Sequence, residues 1–405
     1  MTADTLLVTL TGRDRPGVTA RLFGTLAARH VRVVDVEQVV IRGVLVLGVL
    51  LDVRELDRVQ EGALRTAVDT AAHDLGMQVD LSSGHEDVDP RRHGRLHVTV
   101  LAEPLQAAAV AAVAGALADA GANIDRIVRL ASYPVTCLEL EVSGADTTEL
   151  RERLALVATE AAVDIAVQPT GLLRRSKRLV VMDVDSTLIQ GEVIEMLAAH
   201  AGVEPEVARI TEAAMRGEVD FEEALRSRVA LLAGLDASAL DRVYDAIVVT
   251  PGARTMVRTL RRLGYRFAIV SGGFTQITER LAADLQIHYS RANELEIVDG
   301  RITGRIIGDV VDRAGKATAL RHFAAEVGVS EAAVIAIGDG TNDLDMLNAA
   351  GLGIAYNAKP IVQDAADTAV NVPYLDAILY LLGISREEIE DADAEAGFVT
   401  PAPPV

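Results

Sequence analysis

Read from the N-terminus, residues 6–10 form an apolar strand pattern, and 18–29 carry helical periodicity. Two β-rich runs follow at 32–41 and 45–53, with Arg42-Gly43 between them as the turn. A second helix over 56–75 and a short strand at 77–81 complete a β-α-β-β-α-β order. The same order recurs: strand 96–101, helix 105–120, strands 124–130 and 136–142, helix 148–162, strand 164–167. Two ferredoxin-like units in tandem are therefore predicted, over 1–84 and 94–170. The polar, turn-rich stretch "SSGHEDVDPRRHG" reads as the linker between them.

From 178 the pattern becomes buried strand, loop, helix, repeated. Strands are predicted at 179–182, 266–270, 334–337 and 352–354, each a continuous apolar run. Such runs separated by helices indicate a parallel sheet covered on both faces, here an α/β domain over 175–385. The stretch 195–249 shows no strand signal and reads as a helical insertion, a cap over the sheet. Residues 386–405, acidic and then Pro-rich, read as a disordered tail.

At 405 residues the chain exceeds one ordinary core, in keeping with several domains. A net charge of −20 argues against a nucleic-acid partner, which would need clustered Lys and Arg. No apolar run reaches the ~18 residues of a membrane span, and the N-terminus lacks a basic signal-peptide start. The single cysteine, Cys137, fits a reducing compartment. A soluble cytoplasmic protein is expected.

The chemistry gathers at strand ends. In "VVMDVDSTLI" a buried strand ends in Asp183 and Asp185, which is costly unless a cation or proton offsets the desolvation. The second strand ends in Ser271 of "AIVSGGF", before a helix start near Phe274 that offers backbone N–H groups to an anion. The third leads into "GDGTND", with Asp339, Asn342 and Asp343 around a glycine turn. Lys316, in "DRAGKATAL", lies near the start of another helix. An EF-hand is excluded because Leu188 or Leu344 takes the sixth loop position, where glycine is required. A dinucleotide fingerprint is excluded because Asp343 replaces its third glycine. Each signal alone is weak. Ordinary turns do not predict all four in one order, three of them at carboxyl ends of strands in one sheet.

The order DxDST, SGG, GK and GDGTND resembles the haloacid dehalogenase superfamily, and within it the phosphoserine phosphatase family. The resemblance spans about residues 175–385. The N-terminal repeats resemble ACT domains, amino-acid-sensing modules, through "TGRDRPGV" with Gly17 at the strand-to-helix turn. The second repeat has "LAEPLQA" there and lacks the glycine, so a second ligand site is not implied. The resemblance implies Mg²⁺-dependent hydrolysis of O-phospho-L-serine through an aspartyl-phosphate. Asp183 would be the nucleophile and Asp185 the general acid and base. Mg²⁺ would be held by the Asp183 carboxylate, the Asp185 carbonyl and Asp339, with Asp343 behind them. Ser271, Gly272 and Lys316 would hold the phosphoryl oxygens, and Asn342 would touch substrate or phosphate. Glu192 would meet the substrate ammonium and Arg228 its carboxylate, with Met215 and Phe221 as an apolar wall. Ser186, directly after the acid pair, favours the phosphoserine branch. A homodimer regulated by L-serine at the ACT domains is also implied. A phosphatase or phosphotransferase for another small phosphomonoester, or an inert amino-acid sensor, remains as the alternative.

Overall fold

The apolar runs of the first repeat bury one face of an antiparallel sheet. A computed structural model describes residues 5–84, 95–171, 174, 176–215 and 218–401; for Met215, only the backbone is described. The chain divides into units 1–91 and 92–405. In the first unit, β1 (Thr5–Arg13), β2 (Arg32–Ile41), β3 (Val44–Asp52) and β4 (Gln78–Gly84) pair in the order β2-β3-β1-β4. Leu6, Val8, Leu10, Leu47 and Val49 pack with Leu22, Leu26, Leu64 and Val68 of helices Val18–Ala27 and Arg58–Asp74. Asp57 and Gln60 close a capping box on the second helix. Gly17 precedes the first helix with φ +97°, and no atom lies within 4 Å of the position its Cβ would take. Backbone conformation, not protein crowding, is what demands glycine there. Every residue of the edge strand β2 is exposed, valines included. Ser82–Gly84 belong to β4, while 85–94, the rest of the expected linker, lie outside the described residues.

In the second unit, β5 (Leu96–Ala102), β6 (Asn123–Ala131), β7 (Thr136–Ser143) and β8 (Asp164–Pro169) repeat the topology as β6-β7-β5-β8. One face packs under helices Ala107–Asp119 and Thr147–Ala161. The other face is covered in large part, with Arg126 and Glu141 at its edge still open to solvent. Leu101, Ala131, Cys137 and Ala166 join the hydrophobic core of the α/β domain. The seam is also hydrogen-bonded: Asn371 donates from its backbone and side chain to Asp164, and Gln168 Nε2 donates to the Leu381 carbonyl.

The α/β domain begins with β9 (Leu179–Met182), buried at every position, as expected of a strand covered on both faces. A short antiparallel pair, β10 (Ile189–Gln190) and β11 (Val248–Val249), brackets the insertion. Between them lie four helices, Val193–Ala201, Glu204–Met215, Phe221–Ala230 and Ser238–Ala246. The sheet continues with β12 (Arg266–Phe274), β13 (Tyr289–Val298), β14 (Arg301–Ile307), β15 (Val334–Gly338), β16 (Leu352–Tyr356) and β17 (Thr368–Val370). Its order is β14-β13-β12-β9-β15-β16-β17, parallel except for the β13–β14 hairpin. The sequence pattern missed β10, β11, β13, β14 and β17, and β11 lies inside the stretch 195–249 expected to hold no strand. The hairpin carries charged residues on its open face, and β17 is only three residues long.

The expectation of a disordered tail from 386 is corrected. Arg386–Glu395 is a helix with a Ser385/Glu388 capping box. Its Asp393 is fully buried, taking Arg258 Nε at 2.8 Å and Arg262 Nη1 at 2.6 Å. Acidity signals solvation only where no counter-charge waits, and helix Ala253–Arg262 supplies two arginines. Residues 402–405 lie outside the described residues. Among the described residues, no helix is long and apolar enough to cross a membrane.

Candidate active site

β9 lies between β12 and β15, so the Asp183–Asp185 turn emerges between the other two chemically loaded strand ends. The Asp183 N–H donates to the Ile337 carbonyl of β15, fixing where the first carboxyl points. Asp183 Oδ1 accepts from Val184 N at 2.8 Å and meets Lys316 Nζ at 2.7 Å. Asp185 turns the other way. Its Oδ1 accepts from Val193 N, at the start of the first cap helix, and its Oδ2 from the Ser271 hydroxyl at 3.1 Å. Ser186 adopts φ +57°, rare for a residue with a side chain, and its Oγ donates to Glu192 Oε1 at 3.1 Å. The turn thus ties Glu192 to the residue directly after the acid pair.

Ser271 is fully buried, and its Oγ accepts the Gly273 N–H at 2.7 Å. The glycines are there for space. A Cβ on Gly273 would lie 2.9 Å from Ser271 Oγ and 3.0 Å from Asp185 Oδ2, and one on Gly272 would lie 3.1 Å from the Phe221 ring. From β15, Asp339 accepts the Thr187 hydroxyl at 2.8 Å. Asp343, with no solvent exposure, accepts Lys316 Nζ at 2.7 Å and Gly340 N at 3.0 Å. Lys316 stands in the first turn of helix Arg313–Val327, itself capped by Asp312.

Ligand oxygens of Asp183, Asp339 and Asp343 all lie within 4.8 Å of one another. Burial, reinforced by Asp343, pushes the Asp183 carboxyl well above the usual carboxylate range despite Lys316. Burial and Asp343 likewise push Asp339 up to about 6. Burial alone would depress the Lys316 ammonium, but Asp183 and Asp343 outweigh it and hold it charged. Three carboxyl groups beside one ammonium gather hard oxygen donors that a cation would hold ionised. That donor set fits a Mg²⁺-like cation.

Above this cluster opens a cavity of about 690 Å³, lined by Asp183, Asp185, Glu192, Arg228, Gly272, Asp339 and Asn342, with Phe221 on one wall. Two expected residues are absent from its surface. Ser271 and Lys316 lie beneath it, their polar groups engaged by Asp185 and by Asp183 and Asp343. Arg228 Nη1 donates to Thr211 Oγ1 at 3.3 Å. Burial, and after it the nearby Asp185 charge, raises Glu192 to about 7. The side chain of Met215 lies outside the described residues. The sequence pattern gave no sign of Thr187, Asn357 and Lys359 as site residues. The last two come directly after the carboxyl end of β16, a fourth strand end at the same rim, and line the cavity.

The fold and this cluster define a hydrolase class. Residues 180–348 match the haloacid dehalogenase-like hydrolase model, and 4–82 and 95–168 match ACT domain models. A phosphoserine phosphatase of Streptomyces coelicolor is 60% identical over 97% of this chain and 95% of its own. One of Mycobacterium tuberculosis is 53% identical over 96% and 95%. Among solved structures, a probable phosphoserine phosphatase from Vibrio cholerae aligns at TM-score 0.58 and 32% identity, covering 75% of this chain and 90% of that one. The chain belongs to the haloacid dehalogenase-like hydrolases and, within them, to the phosphoserine phosphatase family bearing ACT domains.

Proposed function

We propose that this enzyme hydrolyses O-phospho-L-serine to L-serine and phosphate, the last step of serine biosynthesis. The observation that carries this is the meeting of Glu192 and Arg228 in the cavity that Asp183 and Asp185 open into. Groups of opposite charge type in one cavity suit the ammonium and carboxylate of an amino acid, and the acid pair suits its phosphate. The names of the Streptomyces and Mycobacterium relatives support the same substrate.

Mg²⁺ would be held by the Asp183 and Asp339 carboxylates and the Asp185 carbonyl. When bound, it neutralises the like charges of carboxylate and phosphate. Asp183 Oδ2 attacks phosphorus while the bond from phosphorus to the serine oxygen breaks. Asp185, whose carboxyl is raised by burial, donates its proton to that leaving oxygen. Asp185 then takes a proton from the water that attacks the aspartyl-phosphate, releasing phosphate and restoring Asp183. Ser271, the Gly272 N–H and Lys316 hold the non-bridging oxygens, for which the Ser271 hydroxyl exchanges Asp185 for the phosphoryl group. Asn342 contacts the bound substrate, and Phe221 closes the apolar side. Asp343 keeps Lys316 in place.

The ACT units are proposed to carry L-serine regulation in a homodimer. Supporting this, edge strand β2 exposes Val36 at 47% and Val40 at 45% on one face, a row that a second copy would cover.

Phosphate release from a panel of phosphomonoesters, with Mg²⁺ and with EDTA, tests the reading. Mg²⁺-dependent preference for phosphoserine is expected. Preference for another ester would replace the substrate, and silence across the panel would favour the inert sensor.

A further inference from the structure

Asn293, on β13, is 1% exposed and carries no motif in the sequence. Its amide is used at both ends: Nδ2 donates to the Gly272 carbonyl at 2.8 Å, and Oδ1 accepts Val311 N at 2.8 Å. That carbonyl belongs to the same peptide unit as the Gly273 N–H, which donates to Ser271 Oγ at 2.7 Å. The Ser271 hydroxyl in turn donates to Asp185 Oδ2 at 3.1 Å. A hydrogen-bonded line therefore runs from Asn293 through one peptide to the acid pair.

We propose that Asn293 is a positioning residue for the phosphoryl side of the reaction, acting through the Gly272–Gly273 peptide on the Ser271 hydroxyl. The inference rests on the phosphatase reading of the site. A hydroxyl carries one proton and two lone pairs. With the Gly273 N–H fixed on its acceptor side, the Ser271 proton is directed across the cleft, where Asp185 takes it now and a phosphoryl oxygen would take it in turnover. Donation from Asn293 into the carbonyl polarises the peptide and strengthens its N–H as a donor. The other end of the amide matters as well. Val311 precedes Asp312, whose carboxylate accepts Gly315 N at 2.7 Å and caps the helix carrying Lys316. One planar side chain thus ties the serine loop to the start of the lysine helix. Only a side chain with donor and acceptor at this spacing does both. Aspartate would keep the acceptor and turn a second acceptor toward the Gly272 carbonyl.

A double-mutant cycle tests this in the full-length protein, with phosphoserine and an aryl phosphate as substrates. Asn293→Asp is expected to lower kcat by about 10- to 100-fold on both substrates, the range seen when an orienting partner is lost. The KM for phosphoserine should change less than kcat, since Glu192 and Arg228 are untouched. In a Ser271→Ala background, Asn293→Asp should cost less than about threefold more, because the group it orients is gone. If Asn293→Asp does not fold, as judged by circular dichroism, Asn293→Ala removes both bonds without burying a charge and carries the same expectation. Wild-type kcat in a folded Asn293 variant, or losses that multiply in the double variant, would overturn the inference alone. Wild-type activity in Ser271→Ala would overturn the phosphatase reading of the site and this inference with it.

Discussion

Lys316 Nζ lies 2.7 Å from Asp183 Oδ1, with 1% and 6% of the two side chains exposed. Asp343 stands at 2.7 Å on the other side of the same ammonium. The lysine is the only cation among these buried groups, so its removal strands two carboxylates. Lys316→Met is expected to destabilise the metal-free protein by about 3–5 kcal/mol, the usual cost of breaking a buried pair. Denaturant unfolding in EDTA measures this, and a loss under about 1 kcal/mol would refute a stabilising role for the two ion pairs.

Asp183→Asn removes the proposed nucleophile with almost no change in volume. Turnover of phosphoserine should fall by at least about 10³-fold, while thermal unfolding stays cooperative. Rapid-quench kinetics with labelled substrate should show no protein-bound phosphate in the variant. A wild-type rate would eliminate the covalent route.

Arg228→Ala separates specificity from chemistry. Arg228 lines the cavity from the cap helix Phe221–Ala230. The KM for phosphoserine should rise by roughly 10- to 100-fold, the worth of a charge-assisted contact. Hydrolysis of an aryl phosphate, which lacks the carboxylate, should change much less. Equal losses on both would assign Arg228 to the fold or to the phosphate.

The raised carboxyls set a pH dependence. Asp339 at about 6 and Glu192 at about 7 hold protons more tightly folded than unfolded. Their stabilising contribution is complete below about pH 4 and is lost as pH rises through those values. Mg²⁺ competes with the Asp339 proton, so its stabilising effect should grow across the same window. The difference in Tm between Mg²⁺ and EDTA should therefore be larger at about pH 7.5 than at about pH 5. A constant or shrinking difference would contradict metal binding at Asp339.

The regulatory reading is tested with point variants. Truncation at 173 would remove Leu101, Cys137 and Ala166 and uncover the apolar face of the α/β domain that packs with them, so it is a poor control. Gly17→Val forces a branched side chain to φ +97° and should abolish the part of L-serine inhibition that is not product competition. Wild-type inhibition in the variant would place the effect at the catalytic site. Light scattering should give a dimer, and Val36→Glu with Val40→Glu a monomer. A wild-type monomer would refute the edge-strand pairing.

The local grammar was enough for the element order of both ACT repeats and for β9, β12, β15 and β16, because continuous burial or one-sided burial writes itself as a hydrophobic period. It also placed Asp183, Asp185 and Asp339 at strand ends, since acids directly after an apolar run stand out along a chain. Tertiary structure decided what those acids touch. That Lys316 lies beneath the cavity, that Asp393 is neutralised by Arg258 and Arg262, and that Asn293 holds the Gly272 peptide all depend on residues far apart in sequence. The outer face of the second ACT sheet looks like any alternating strand, and only packing shows that it closes a second core. The reason is physical: periodicity records whether a position is buried, whereas hydrogen bonds and ion pairs depend on which partner burial brings within about 3 Å.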